Sequence, residues 1–125
     1  MRQPTHTASL TIGILLVALA GAAWPADTKY RGRFYWGPDV QVFEPCTELK
    51  AYWVDGDDKT LKPLIARSEQ LAEKRGKVHL PVYVELLGRL DTRSERQGPA
   101  QDYDGLLRVR KVLRTSTAIP KRCKE

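Results

Sequence analysis

The sequence predicts a small, mainly β domain with one helix, which we interpret as a five-stranded barrel of the OB type. The chain has 125 residues, of which 42% are hydrophobic and 29% charged, as expected for one globular domain with a modest core. Its hydrophobic pattern gives three strands, one helix and then two strands, and OB barrels commonly carry a helix between their third and fourth strands. A small α+β sandwich, with a split sheet and one helix, is the alternative.

Three short strands are predicted before the helix. Residues 32–36 (GRFYW) are rich in aromatic side chains, and residues 39–43 (DVQVF) alternate apolar and polar ones, as strands do. Pro38 cannot donate to a β-ladder, so we expect a bend or bulge between them. Residues 49–54 (LKAYWV) form the third strand, which ends at the turn-forming run 55–58 (DGDD).

The hydrophobic period lengthens to about 3.6 residues between Thr60 and Arg75, which predicts a helix. Thr60 is expected to cap it, Pro63 to lie in its first turn and Gly76 to end it. The face expected to pack on the barrel carries Leu61, Leu64, Ile65, Leu71 and Ala72.

Two more strands are predicted after the helix. Residues 80–90 (LPVYVELLGRL) return to alternation and indicate a half-buried strand. Residues 91–104 form a polar loop, and residues 105–114 (GLLRVRKVLR) form the last strand. Because alternation slips at Arg110-Lys111, we expect a bulge there.

Residues 1–26 are predicted to be a cleavable signal peptide. Residues 10–23 (LTIGILLVALAGAA) are almost wholly apolar, yet shorter than the roughly 20 residues that a membrane-spanning helix needs. Small residues at the end suit signal peptidase, with cleavage after Ala22, Ala23 or Ala26. The first cysteine is Cys46, so we expect no lipid on the leader. Residues 27–125 would then be a periplasmic domain with no stable membrane insertion; an uncleaved N-terminal anchor is the alternative.

Cys46 and Cys123 are the only cysteines, and thiols tend to pair in an oxidising compartment. Their wide separation argues against a redox CxxC motif and against a zinc site, which need closely spaced ligands. A bond between them would close a loop long enough to stabilise the fold by about 4 kcal/mol. We expect it to fix the end of the chain to the early strands.

The net charge is +6, from 21 Lys and Arg against 15 Asp and Glu, which suits an anionic partner. Basic residues alternate with acidic ones, as in residues 93–96 (RSER), and this is also the pattern of an ordinary solvated surface. Outside the cytoplasm we expect no nucleic-acid partner. The partner that we expect is therefore an envelope protein or an anionic envelope polymer.

No arrangement of residues in 27–125 predicts catalysis. His79 is the only histidine in this range, and a lone histidine before a strand is more commonly a surface residue than a base or a ligand. The acidic run 55–58 lacks the spaced oxygen ligands of an EF-hand, and a glycine-rich phosphate loop is missing. We therefore expect no enzymatic activity, no cofactor and no metal.

The strands carry an aromatic and basic set that suits a binding face, since OB barrels bind extended ligands on a face built from their early strands. The alternative is that half of the rings form the core and the others are ordinary strand residues. The candidate face comprises Arg33, Tyr35, Trp53, Tyr83, Arg108 and Arg110.

Residues 30–39 (YRGRFYWGPD) and 42–46 (VFEPC) resemble the opening of the C-terminal OB-like domain of the NlpE family of envelope lipoproteins. The similarity continues through the Leu-Ala pattern of residues 64–76, the strand 81–88 (PVYVELLG) and the closing residues 119–123. It covers nearly all of residues 27–125. It implies an OB-like barrel, a disulfide between the two cysteines, and a link to envelope-stress signalling and copper tolerance.

Full-length members of that family also have an N-terminal domain with a CxxC motif and a lipidated cysteine. Neither motif occurs in residues 1–125, so copper binding, tethering and signalling through them do not carry over. Two classes of function remain. One is a periplasmic, non-enzymatic binding or envelope-stress module; the other is a structural, accessory or small inhibitor protein with no small-molecule ligand.

Overall fold

The computed structural model describes residues 2, 4, 13, 14 and 26–123, and the strands of this part close into a barrel in the order β1-β2-β3-β5-β4. The elements are β1 (Thr28–Gly37), β2 (Val40–Pro45), β3 (Tyr52–Asp55), α1 (Asp58–Arg75), β4 (Val82–Asp91) and β5 (Leu106–Ser116), with short 3₁₀ turns at Gly98–Asp102 and Lys121–Cys123. Neighbouring strands are antiparallel except β3 and β5, which are parallel.

This architecture confirms the predicted OB-like fold with its helix between the third and fourth strands, and the sandwich alternative is wrong. The predicted signal peptide lies almost entirely outside the described residues. Among the described residues, no helix is both long enough and apolar enough to cross a membrane.

The early strands differ from their predicted bounds at the ends. β1 begins at Thr28 because its polar first residues pair with β4, Thr28 with Gly88 and Arg31 with Glu85, and ladder bonds need no apolar side chain. β3 begins at Tyr52, not Leu49, since Leu49 is 94% exposed in the preceding loop.

The helix begins earlier than predicted. Its N-cap is Asp57, whose Oδ1 accepts a 2.7 Å hydrogen bond from the Thr60 backbone N–H, so the assignment of Thr60 as the cap is wrong. Pro63 lies inside the helix and not in its first turn. Gly76 ends the helix with a φ of 66°, as predicted.

The long β4–β5 pairing contains the predicted bulge and a second one. The register skips Arg110 between the pairs Leu87–Lys111 and Gly88–Val109, and it skips Leu113 one step further along. These extra residues bend the strands and help the sheet to close.

The hydrophobic core fills the barrel and the space under α1. Phe34, Phe43, Leu64 and Leu107 are fully buried within it. Among the described residues, every member of this cluster lies between Tyr30 and Val112.

A disulfide joins Cys46 to Cys123, as predicted. Cys46 follows β2, and its backbone N–H donates a 3.0 Å hydrogen bond to the Arg31 carbonyl oxygen. Cys123 is 1% exposed. The bond therefore ties the C-terminal tail to the β1–β2 pair, across 77 residues of sequence.

Candidate binding surface

Three side chains form one row on the outer surface of β1, β2 and β3. Tyr35 pairs with Val42, and Val42 pairs with Trp53. Their sequence neighbours Phe34, Phe43 and Tyr52 point into the core, so alternation places the row outside. Tyr35 and Trp53 are partly exposed, whereas Val42 is 5% exposed between them.

Tyr103 extends this row from the loop between β4 and β5. Its ring lies 5.6 Å from that of Trp53, centroid to centroid, with the two planes tilted by 45°. Such pairs contribute about 0.5–1.5 kcal/mol beyond the area that they bury. We call Tyr35, Val42, Trp53 and Tyr103 the aromatic platform.

Backbone hydrogen bonds hold the Tyr103 loop against β3. The Asp104 N–H donates to the Ala51 carbonyl at 2.9 Å, while the Ala51 N–H donates to the Asp104 carboxylate at 2.9 Å. The Trp53 N–H donates to the Gly105 carbonyl at 2.9 Å. Tyr103 is therefore positioned by fixed backbone and not by a free loop.

An acidic edge borders the platform. Glu44 lies two residues along β2 from Val42, on the same face, and Asp104 follows Tyr103. The Tyr52 hydroxyl contacts the Glu48 carboxylate at 3.4 Å, and burial together with this carboxylate raises the pKa of Tyr52. The cleft at this edge is lined by Glu44, Glu48, Leu49, Lys50, Ala51 and Asp104.

Two predicted site residues border the platform but expose little surface. Arg33 pairs with Glu44 at 2.9 Å, and its side chain is 15% exposed. Tyr83 is 7% exposed because it lies between Arg33 of β1 and Ser116 of β5 in the ladder. The expectation that Tyr83 belongs to an exposed face is therefore wrong.

Arg108 and Arg110 belong to an ion-pair cluster near the start of α1. Arg108 contacts Asp55 at 3.2 Å and Asp91 at 3.4 Å. Arg110 contacts Asp27 at 3.3 Å, as Arg89 does. Each predicted arginine is thus matched by carboxylates, which leaves less charge for an external anion.

Asp91 is also bonded within its own loop. It accepts hydrogen bonds from the backbone N–H groups of Ser94, at 3.0 Å, and Arg93, at 3.1 Å. These hydrogen bonds lower the pKa of Asp91, and the bond from Ser94 has the largest effect. A hydrogen bond from Arg108 lowers this pKa further. The carboxylate therefore acts as a structural acceptor here.

The structure thus brings Tyr35 and Trp53 together and adds Val42 and Tyr103, which the sequence reasoning missed. Tyr103 is an aromatic residue in an otherwise polar loop, and that contrast was the available signal. Within the described part of the chain, no group of three or more His, Cys, Asp or Glu side chains is arranged to hold a metal ion.

Comparison with protein-family models, curated proteins and solved structures finds no match to this chain.

Proposed function

We propose that the chain is an exported, non-enzymatic OB-fold module that binds an extended segment of an envelope protein across the aromatic platform. The observation that carries the proposal is the row Tyr35–Val42–Trp53 on strands β1 to β3, with Tyr103 packed at its end. OB barrels bind extended ligands with this part of their surface. Partly exposed rings on a fixed backbone bind at a low entropic cost.

The acidic edge favours a polypeptide over a polyanion. The edge keeps a net negative charge even though Glu44 pairs with Arg33: three carboxylates, of Glu44, Glu48 and Asp104, lie beside one lysine, Lys50. They would repel an anionic polymer, whereas they suit a segment with basic side chains beside apolar ones. Leu49, 94% exposed at the same edge, adds an apolar contact.

Periplasmic residence is part of the proposal. The apolar run 10–23 and the disulfide Cys46–Cys123 both support it, because disulfides persist in oxidising compartments. We further propose kinship with the C-terminal domain of the NlpE family. The strand order and the position of the disulfide support that relationship.

A photo-crosslinking residue placed at Leu49 tests the binding proposal in cells that export the chain. We expect one protein partner to be captured, and we expect the variant Tyr35→Ala/Tyr103→Ala to lose that capture while retaining its thermal unfolding transition. Leu113→Ala, an exposed position on β5, is the matched control and should leave capture unchanged.

Three outcomes would overturn the proposal. Undiminished capture in the double variant would exclude the platform. Unfolding of the double variant would assign these rings to the structure, in keeping with an accessory role. Crosslinks to glycan or another polymer, with none to protein, would contradict the ligand class.

A further inference from the structure

A groove lies between the C-terminal end of α1 and the tail, and its lining shares no residue with the aromatic platform. It has a volume of about 350 Å³. Leu71, Leu80, Pro81 and Ile119 give it an apolar floor, and Arg75 and Lys77 stand at its rim. We call this the helix groove.

A second hollow continues the helix groove along the flank of α1. Leu71, Arg75 and Thr117 line both hollows, and Arg67 and Lys74 line the second one. The observed partner of Arg67 is a neutral group, the Thr115 hydroxyl, at 3.4 Å. A continuous strip of four cations therefore borders an apolar floor.

These four cations lack a carboxylate partner within the described part of the chain. In the described part of the chain, none of Arg67, Lys74, Arg75 and Lys77 has an Asp or Glu oxygen within 4.0 Å. By contrast, the arginines near the start of α1 are matched by aspartates.

The acidic residues of the helix lie on its other flank. Glu69 and Glu73 line neither hollow, and the helical turn of about 100° per residue separates them from Arg67 and Lys74. The charged residues of α1 that line the two hollows are therefore all basic.

An exposed apolar residue stands beside the groove. Val78 is 64% exposed and lies between Lys77 at the rim and Leu80 on the floor, in the connection after the helix. An apolar side chain that protrudes among cations is typical of surfaces that enter the headgroup region of a membrane.

We infer that the helix groove is a docking site for the surface of a bilayer that contains anionic phospholipid. Arg75 and Lys77 would contact lipid phosphates, supported by Arg67 and Lys74. Val78 and the apolar floor would contact the upper acyl and glycerol region. The apolar floor distinguishes this surface from a site for a soluble phosphate, which would need polar groups alone.

Sedimentation with vesicles tests the inference on residues 26–125, which include the core cluster of the described residues and the disulfide. We expect binding to vesicles of phosphatidylglycerol and phosphatidylcholine in equal parts, and none to pure phosphatidylcholine. Arg75→Gln/Lys77→Gln should lower the partition coefficient about thirtyfold, since each cation near an anionic surface contributes about 1 kcal/mol.

The matched control is Lys59→Gln/Lys62→Gln, which removes the same charge from exposed positions of α1 outside the groove. It should lower the coefficient by less than about threefold. Val78→Ser leaves the charge unchanged and should lower it about fivefold. Thermal unfolding of each variant distinguishes lost binding from lost folding, because Arg75 also compensates the dipole of the helix.

Equal losses in the two double variants would show that net charge, not the groove, drives binding, and would overturn the inference. So would equal binding to the two kinds of vesicle, or an undiminished partition coefficient for Val78→Ser. Displacement of the protein from vesicles by glycerol phosphate would assign the site to a soluble phosphate and would also contradict it.

Discussion

At Gly32 of strand β1 there is no room for a side chain against strand β2. A Cβ there would lie 2.2 Å from the Glu44 carbonyl oxygen and 2.6 Å from the ring of Phe43. The carbonyl belongs to the ladder and the ring is fully buried, so neither can move without disturbing the barrel.

Gly32→Ala should therefore lower the free energy of unfolding by about 3 kcal/mol, as overpacking of a closed core does. Denaturant titration measures this loss. Gly98→Asn is the control variant. A Cβ at Gly98 meets nothing within 4 Å, and Asn tolerates the backbone φ of 60° at this position. We expect this variant to lose less than about 0.5 kcal/mol of unfolding free energy. Equal losses would contradict the packing explanation.

Single residues were predictable from sequence where chemistry left few choices. The chain has two cysteines, so an intramolecular disulfide could only join Cys46 to Cys123. Tyr83 was misplaced because alternation identifies which face a residue occupies but not what covers that face. Tyr103 was missed because its contact with Trp53 depends on a loop that no periodicity describes.

At the scale of elements, the N-cap of α1 is Asp57 and not Thr60, the residue that the sequence analysis named. Asp57 and Thr60 are both good capping residues. The structure chooses Asp57, whose carboxylate accepts from the Thr60 N–H. This hydrogen bond, the largest cause, lowers the pKa of Asp57 below its ordinary value of 3.8.

Asp57→Ala should therefore lower the melting temperature more than Thr60→Ala does at pH 7. Because the folded-state pKa is lowered, the contribution of the Asp57 carboxylate is present above about pH 4 and is lost as the pH falls through the folded-state value. The difference between wild type and Asp57→Ala should shrink in melts at about pH 3. A difference that grew in acid would contradict this cap.

Element types were predictable because each segment has one clear period, and the bulge at Arg110 followed from a break in that period. Element ends were less predictable because partners decide them. Thr28 joins β1 only through β4, and Ala51 precedes β3 in a loop held by Asp104. Both partners are distant in the sequence, so a local sequence pattern does not predict these contacts.

At the scale of the whole molecule, the disulfide and the barrel act together. Residues 117–123 follow β5, and all of them except Ile119 and Cys123 are exposed. Closing 77 residues of chain by one bond contributes about 4 kcal/mol, which is a large share of the stability of a small domain.

Cys46→Ser/Cys123→Ser should thus lower the free energy of unfolding by about 4 kcal/mol and should raise amide hydrogen exchange first in residues 117–123. Reductant added to the wild-type protein should have the same effect and should leave the double variant unchanged. A melting temperature that does not respond to reductant would contradict this stabilising role of the disulfide.

The five-stranded barrel was predicted from the order of elements, but its surfaces were not. The sequence placed aromatic and basic residues in one candidate face; in the structure the rings gather on β1 to β3, and Arg108 and Arg110 join the aspartates near α1. Folding separates them because strand register, which is a long-range property, decides which side chains become neighbours.

Amide hydrogen exchange of the chain, free and with its crosslinked partner bound, tests the central claim most directly. We predict slowed exchange in residues 40–45, 52–55 and 101–106, which carry or hold the aromatic platform, and unchanged exchange along α1. Protection confined to α1 and the tail, with none in those three segments, would contradict binding at the platform.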